Sequence, residues 1–319
     1  MMKRFSGFFV AFMVSALVLT GCGAPSGEGD GKDGETPAPA AKVIGAAMLT
    51  QTHIFYQDMV SAMQVEAEKQ GVKLKVQYAE FDSSRQNNQI ETFMAQGVDA
   101  IIVAPTDSSG VAPVIAEARR QGIAVFTADI AAKEADVLCH VASDNEQAGA
   151  LVGEYLAQAI DSRGKVAIID HPSVTSVQER TRGFDRIMER YPQIEIVQRV
   201  PGLGQRDKAM LACEDLLQAQ PDLDGIFAIN DDSALGALAA VESAGLQNKI
   251  VIVGVDGTPE ARETILAGTA LIADAAQFPD RIGAKTIQVV VDYLLRDVTP
   301  PAVVPIEVEL LTRESLKAE

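Results

Sequence analysis

The sequence predicts an α/β protein of two lobes, each a doubly wound parallel sheet with helices on both faces. Three observations carry this. Short apolar runs alternate with amphipathic stretches along most of the chain, the pattern of parallel strands covered by helices. About five such units fit in residues 43–143 and about as many follow, so the pattern fills two similar halves. Glycines stand just past the amphipathic stretches, at Gly71, Gly97, Gly122, Gly245 and Gly268, where a helix ends in a left-handed residue.

In chain order, strands are predicted over 43–48, 74–78, 100–104 and 124–127, then near 166–169, 194–199, 225–229, 250–255 and 271–274. Each is a short apolar run rich in Val, Ile, Ala and Leu, the signature of a strand buried on both faces. Helices are predicted over 56–70, 85–95 and 111–121, and near 148–160, 177–190, 208–219, 235–244 and 281–294. Their apolar residues recur at helical spacing.

The N-terminus reads as an address. Lys3 and Arg4 precede an apolar run over 8–19 that ends in Leu19-Thr20-Gly21-Cys22. The run is too short to span a bilayer stably and has the layout of an export signal. The small residues before Cys22 look like a lipobox, in which the cysteine is lipidated and becomes the new N-terminus. Residues 1–21 are thus the expected signal and Cys22 the expected membrane anchor. Residues 22–42 are expected to form a tether, because their Gly, Pro, Ala, Ser and charged residues bury too little apolar area to repay the entropy of ordering.

Composition excludes several classes. The formal net charge is −17, which repels phosphate backbones and argues against nucleic-acid binding. Three cysteines, three histidines and no tryptophan leave little material for a disulfide scaffold or a metal site. Cys139 and Cys213 lie in apolar stretches and read as buried thiols. Calcium-type loops are not visible, so neither a metal nor a cofactor is expected.

In open parallel sheets, ligands sit beyond the carboxyl ends of the strands. Those positions carry His53, Phe55 and Tyr56 after the first strand and Asp129 after the fourth. They carry Asn230, Asp256 and Gln277 after later ones, and the loop past residue 170 leads to Arg180. Planar acceptors and donors together suit a neutral polyol, whose hydroxyls both donate and accept. An aromatic ring covers the apolar face of a sugar. Two carboxylates against one arginine argue against a phosphorylated or carboxylated ligand.

Several segments then carry a family resemblance. They are Val141-Ala142-Ser143-Asp144-Asn145, Phe227-Ala228-Ile229-Asn230-Asp231-Asp232 with Ala234-Leu235-Gly236-Ala237-Leu238, Val253-Gly254-Val255-Asp256-Gly257-Thr258-Pro259 and Ala276-Gln277-Phe278-Pro279-Asp280-Arg281-Ile282-Gly283. Ala104-Pro105-Thr106-Asp107 adds a weaker one. From about Val43 to about Leu311 the body resembles the periplasmic sugar-binding proteins of the ribose-binding type, which serve ABC importers.

The resemblance implies two lobes joined by a three-strand hinge, with crossings near 143–144, 275–277 and 307. The first lobe would hold 43–143 and 277–306, the second 144–276 and 307–319. It implies a monomer outside the cytoplasm that hands a sugar, cyclitol or polyol to a membrane permease. In type, Asp129, Arg180, Asn230, Asp256 and Gln277 match the family's polar pocket residues, and Phe55 and Tyr56 its aromatic pair. Three positions depart: Ile130 replaces an arginine, Gly204 an aromatic residue and His53 an asparagine. These point away from ribose itself, toward another pentose, a hexose, a cyclitol or an acyclic alditol. His53 reads as a hydrogen-bond partner, and His140 and His171 as structural or surface residues.

Two other readings were weighed. The same body can serve a chemoreceptor or sensor kinase. An enzyme would need Asp129 and Asp256 as a glycosidase pair, but no nucleophile motif supports one. Gly202-Leu203-Gly204 lacks the third glycine of a dinucleotide loop, having Asp207 there. An export signal excludes a transcriptional regulator.

Overall fold

A computed structural model describes residues 41–318. The export segment, Cys22 and the tether as far as Ala40 lie outside the described residues. Lys42, placed in the tether by composition, is already fastened to the body. Its Nζ reaches Asp99 Oδ1 at 2.7 Å while the Val43 amide donates to Asp99 Oδ2 at 2.8 Å.

The first half runs β1 (Val43–Met48), α1 (Ile54–Lys69), β2 (Lys73–Tyr78), α2 (Ser83–Ala95), β3 (Ala100–Val103), α3 (Ala112–Arg120), β4 (Ala124–Ala128) and β5 (His140–Ser143). The second runs α4 (Asn145–Ala159), β6 (Arg163–Asp170), α5 (Thr175–Met188), β7 (Gln193–Pro201), α6 (Arg206–Ala219), β8 (Gly225–Ala228), α7 (Asp231–Ser243), β9 (Val251–Asp256), α8 (Pro259–Ala267) and β10 (Leu271–Ala276). The chain ends with α9 (Pro279–Arg296), β11 (Val303–Ile306), β12 (Glu309–Thr312) and α10 (Arg313–Ala318).

Two six-stranded sheets result, ordered β2-β1-β3-β4-β5-β11 and β7-β6-β8-β9-β10-β12. The first is parallel throughout; the second is parallel except for β12, which runs against β10. Both lobes thus share one winding, with a switch of direction at β1/β3 and at β6/β8, and such switch points open crevices for ligands. The chain passes between the sheets three times, at 143–145, 276–279 and 306–309.

Side chains alternate across each sheet. In β1, Ile44, Ala46 and Met48 pack with Met59 and Met63 of α1 and Ile282 and Val290 of α9. Ala47 faces the other way, to Ile90 and Phe93 of α2 and Ile115 of α3. The apolar cluster on the α1/α9 face continues into the second lobe through Val152 and Leu156 of α4 and Phe184 of α5. Cys139 and Cys213 are buried free thiols, as the sequence predicts. Burial pushes the Cys213 thiol up to about 12.

Most helices begin two to four residues before their apolar pattern starts: α1 at Ile54, α4 at Asn145, α5 at Thr175 and α7 at Asp231. The first turns of α4, α5 and α7 are largely polar, whereas α1 opens on Ile54-Phe55-Tyr56. His53, Asp144 and Asn230 each cap their helix by accepting a backbone N–H. The short strands β5, β11 and β12 and the helices α8 and α10 were not predicted.

Candidate functional site

The strand ends of the two sheets face one another across a cleft with about 470 Å³ of space free of protein atoms, its open mouth included. All eight residues picked from the strand ends line it: His53, Phe55, Tyr56, Asp129, Arg180, Asn230, Asp256 and Gln277. Ile130 and Gly204, the two departures that remove polar or aromatic groups, line it as well.

On the first-lobe side, Asp129 follows β4 in left-handed backbone, with φ 65°. Its amide donates to Val141 O at 2.9 Å, which ties it to β5. Tyr56, in the first turn of α1, donates its hydroxyl to Asp129 Oδ2 at 2.6 Å. Asp129 Oδ1 is buried and has no partner among the described residues. Burial pushes the Asp129 carboxyl up to about 6, although Arg180 and Tyr56 pull it down. The Phe55 and Tyr56 rings meet edge to face, centroids 5.4 Å apart.

The second-lobe side is a network. Arg180 Nε donates to Asn145 Oδ1 at 2.8 Å, and its Nη1 to the Ile229 carbonyl at 2.7 Å. Nη1 also lies 3.8 Å from Asp256 Oδ1. Gln277 Nε2 donates to that same oxygen at 2.6 Å, and the Gln277 amide to Asp256 O at 2.9 Å. Gln277 Oε1 is buried without a partner among the described residues. Asp256 ends β9 with φ 142°, a conformation that costs a side-chain-bearing residue ~1–3 kcal/mol and persists only where its surroundings hold it. Burial works against its charge, yet His53, Arg180 and Gln277 outweigh burial and hold its carboxyl below the usual range. Asn230 spends most of its amide on structure: Oδ1 accepts the Ser233 amide at 3.0 Å, and Nδ2 donates to Gly204 O at 3.2 Å.

Arg180 owes its place to two glycines. A Cβ on Gly149 of α4 would lie 1.9 Å from the Arg180 carbonyl, and one on Gly183 of α5 would lie 2.0 Å from the Glu146 carbonyl. The two helices therefore touch backbone to backbone, which only glycine permits.

The lobes also contact each other directly, on two sides of the cleft. On one side, the Ser108 amide donates to Ser173 O at 3.1 Å and the Thr175 amide to Ser108 Oγ at 3.0 Å. Thr175 Oγ1 accepts the Ala131 amide at 2.9 Å and donates to the Ala131 carbonyl at 3.0 Å. On the other side, His53 Nε2 lies 3.4 Å from Asp256 Oδ2 and 3.7 Å from Asp232 Oδ2. Burial opposes a charge on His53, but Asp256, with Asp232 and Asp231 behind it, raises its pKa to about 9. His53 Nδ1 accepts the Phe55 amide at 3.1 Å. The helix cap thus favours the neutral ring with its proton on Nε2, and the carboxylates favour the charged one.

The strand-end search missed Leu49, Phe81, His171, Val174, Val177 and Ile229, which also line the cleft. Applied to every strand, the same rule finds Phe81 beyond β2 and His171 beyond β6. The valines carry no signal of their own; they reach the cleft because α5 begins at its wall. His140 stays outside the lining residues; it pairs with Thr127 Oγ1 at 2.9 Å, and burial lowers it to about 4.

A cleft at the switch points of two like-wound sheets, walled by planar polar side chains, defines a two-lobed solute-binding body. The periplasmic binding protein domain family matches residues 44–296, and the chain belongs to that family. It is 32% identical over 293 residues to the ribose import binding protein RbsB of Bacillus subtilis (strain 168), covering 89% of this chain and 92% of that one. The solved structure of an ABC transporter solute-binding protein from Mycobacterium smegmatis with bound glycerol superimposes with a TM-score of 0.82 at 32% identity, covering 87% of this chain and 96% of that one. The Caulobacter myo-inositol binding protein bound to myo-inositol gives a TM-score of 0.82 at 28% identity, with 89% and 98% covered.

Proposed function

We propose that this protein is the extracytoplasmic solute-binding component of an ABC importer and not an enzyme. It takes a neutral monosaccharide, cyclitol or sugar alcohol between its lobes, and the closed form is what the permease receives. The observation that carries the reading is a pair of buried acceptors without partners among the described residues, Asp129 Oδ1 on one wall and Gln277 Oε1 on the other. Hydroxyl donors of one neutral ligand satisfy both and so favour closure, because contacts to both lobes exist only in the closed form. Arg180 supplies donors from between them. With Asp129 and Asp256 beside it, the cleft offers no net positive charge to an anion.

In this reading the lobes divide as 43–143 with 277–306 and 144–276 with 307–319, and they turn about the three crossings; Gln277 stands in the second crossing, where its bonds to Asp256 hold it on the second-lobe wall. Lipidated Cys22 holds the protein to a membrane through the tether, and the protein works as a monomer.

The test is a thermal-shift screen of the chain from Cys22 onward. Its panel holds D-ribose, D-allose, myo-inositol, xylitol and glycerol, with sugar phosphates, nucleosides and carboxylates as controls. A ligand at a hundred times its dissociation constant adds roughly 2.7 kcal/mol of stability, which a melting curve resolves. A neutral polyol is expected to give the shift. A response confined to the anionic or nucleoside controls would overturn the ligand class.

A further inference from the structure

Behind the cleft, aspartates of the second lobe meet at the turn that follows β9. Asp231, the first residue of α7, is 1% exposed and Asp274 in β10 is 0% exposed. The Thr258 amide donates to Asp231 Oδ2 at 2.7 Å, and the Gly257 amide to Asp274 Oδ1 at 3.1 Å. The Asp231 amide in turn donates to Asp256 Oδ2 at 3.3 Å. That leaves Asp231 Oδ1 and Asp274 Oδ2, both buried and both without a donor among the described residues. They converge on Gly254, where a Cβ would lie 3.3 Å from Asp231 Oδ1 and 2.6 Å from Asp274 Oδ2. Two carboxylates that share one dry site do not both ionise.

We propose that Asp231 and Asp274 share one proton, and that the hydrogen bond it makes closes a ring through Gly257 and Thr258 which holds Asp256 in position for the ligand. The inference rests on the reading of Asp256 as a ligand contact. Asp231 and Asp274 are positioning residues, since neither lines the cleft. Their surroundings agree. Burial first, and then each other's proximity, pushes Asp231 well above the usual carboxyl range; burial also takes Asp274 to about 6. The facing charged groups are Asp256 of β9 and His53 from the opposite lobe, while Arg180 of α5 acts on Asp256. Arg262 of α8 donates to the Gly257 carbonyl at 2.9 Å, and β12 places Leu311 beside Gly257 and opposite Asp274. Asp232, next along α7, turns away to Arg206 and His53.

The sign follows from the direction of the shifts. A pair whose carboxyls titrate above their unfolded values adds stability at low pH and loses it as pH rises through those raised values. The first measurement needs no ligand: melting temperature of the full mature chain between about pH 5 and about pH 8, for wild type, Asp231→Asn and Asp274→Asn. Either amide places a fixed N–H where the proton stood, so each variant should lose less stability than wild type across that range. An infrared carboxylic-acid band at neutral pH should be present in wild type and reduced in both amides. The second measurement is calorimetric affinity for D-ribose and myo-inositol. Asp231→Ala and Asp274→Ala should weaken whichever is bound by about tenfold or more, and each amide should restore it to within about threefold. Equal pH slopes in all three proteins with no acid band would overturn the shared proton. Alanine variants with unchanged affinity would overturn the positioning role. If neither these two nor the other neutral polyols of the panel bind, the ligand reading of the cleft fails alone, because the ligand-free arm still decides on the proton.

Discussion

Each wall of the cleft places one buried aspartate in it, and the two are in opposite states. Asp256 sits among His53, Arg180 and Gln277, and its carboxyl is held below the ordinary range. Asp129 has Tyr56 as its one hydrogen-bonding side chain among the described residues and is pushed up to about 6, chiefly by burial. Both Asp256 carboxylate oxygens find partners within the protein, whereas Asp129 leaves Oδ1 open among the described residues. The contrast shows how one cleft can be both preorganised and receptive. The second-lobe wall fixes orientation in advance, and the first-lobe wall waits for a hydroxyl.

The largest effect expected from breaking this contrast is Asp256→Ala. It strands Arg180, Gln277 and His53 in a dry site, and removing one member of a buried charge network costs ~3–5 kcal/mol. Affinity for the bound polyol, read by calorimetry, should fall by a hundredfold or more, about the same in energy. Unchanged affinity would remove Asp256 from the site.

Asp129→Asn sharpens the comparison. A carboxyl raised in the folded state adds stability below its unfolded value and loses it as pH rises through about 6. At neutral pH the ligand-free protein therefore carries a cost that the amide removes, so the variant should melt higher. It should also bind more weakly, by roughly 1–3 kcal/mol, for want of the open acceptor. Wild-type affinity should decline as pH falls below about 6, and the variant's should not. A variant that melts lower at neutral pH would contradict the account of Asp129.

The smallest effect belongs to the uncharged contact between the lobes. Thr175→Val keeps the shape and removes one hydroxyl that serves both Ala131 groups. The expected loss is ~1 kcal/mol, or roughly fivefold in affinity, without a change in pH dependence. Small-angle scattering of the ligand-free variant should show a more open average. An unchanged scattering profile and affinity would mean that this contact does not hold the lobes.

Much of this was legible in sequence, and the limits have physical causes. Gly71, Gly97, Gly122, Gly245 and Gly268 all adopt positive φ at helix ends, because capping is a local matter and local chemistry marks it. Polar residues at strand ends were legible because parallel winding sends every strand to one edge. Helix starts were not, because the caps His53 and Asn230 are also cleft residues and apolar periodicity is silent about both roles. Val174 and Val177 could not be found, since they reach the cleft only because α5 begins at its wall. The pairing of Asp231 with Asp274, 43 residues apart in sequence, depends on β9 and α7 meeting β10, which no local pattern records.

The backbone contact between α4 and α5 has an evolutionary consequence. With Gly149 and Gly183 pressed against carbonyls, the helix that bears Arg180 has no freedom to slide or tilt, so a descendant of this gene cannot change its cargo by shifting that wall. Divergence is left to side-chain exchange at the cleft's more tolerant positions. Gly204 is one: a Cβ there meets nothing closer than 3.6 Å, and its left-handed backbone is the main restraint. Ile130 and His53 also line the cleft, and exchange at either would change the inventory of partners. A lineage built this way would change diet residue by residue while its scaffold stayed the same.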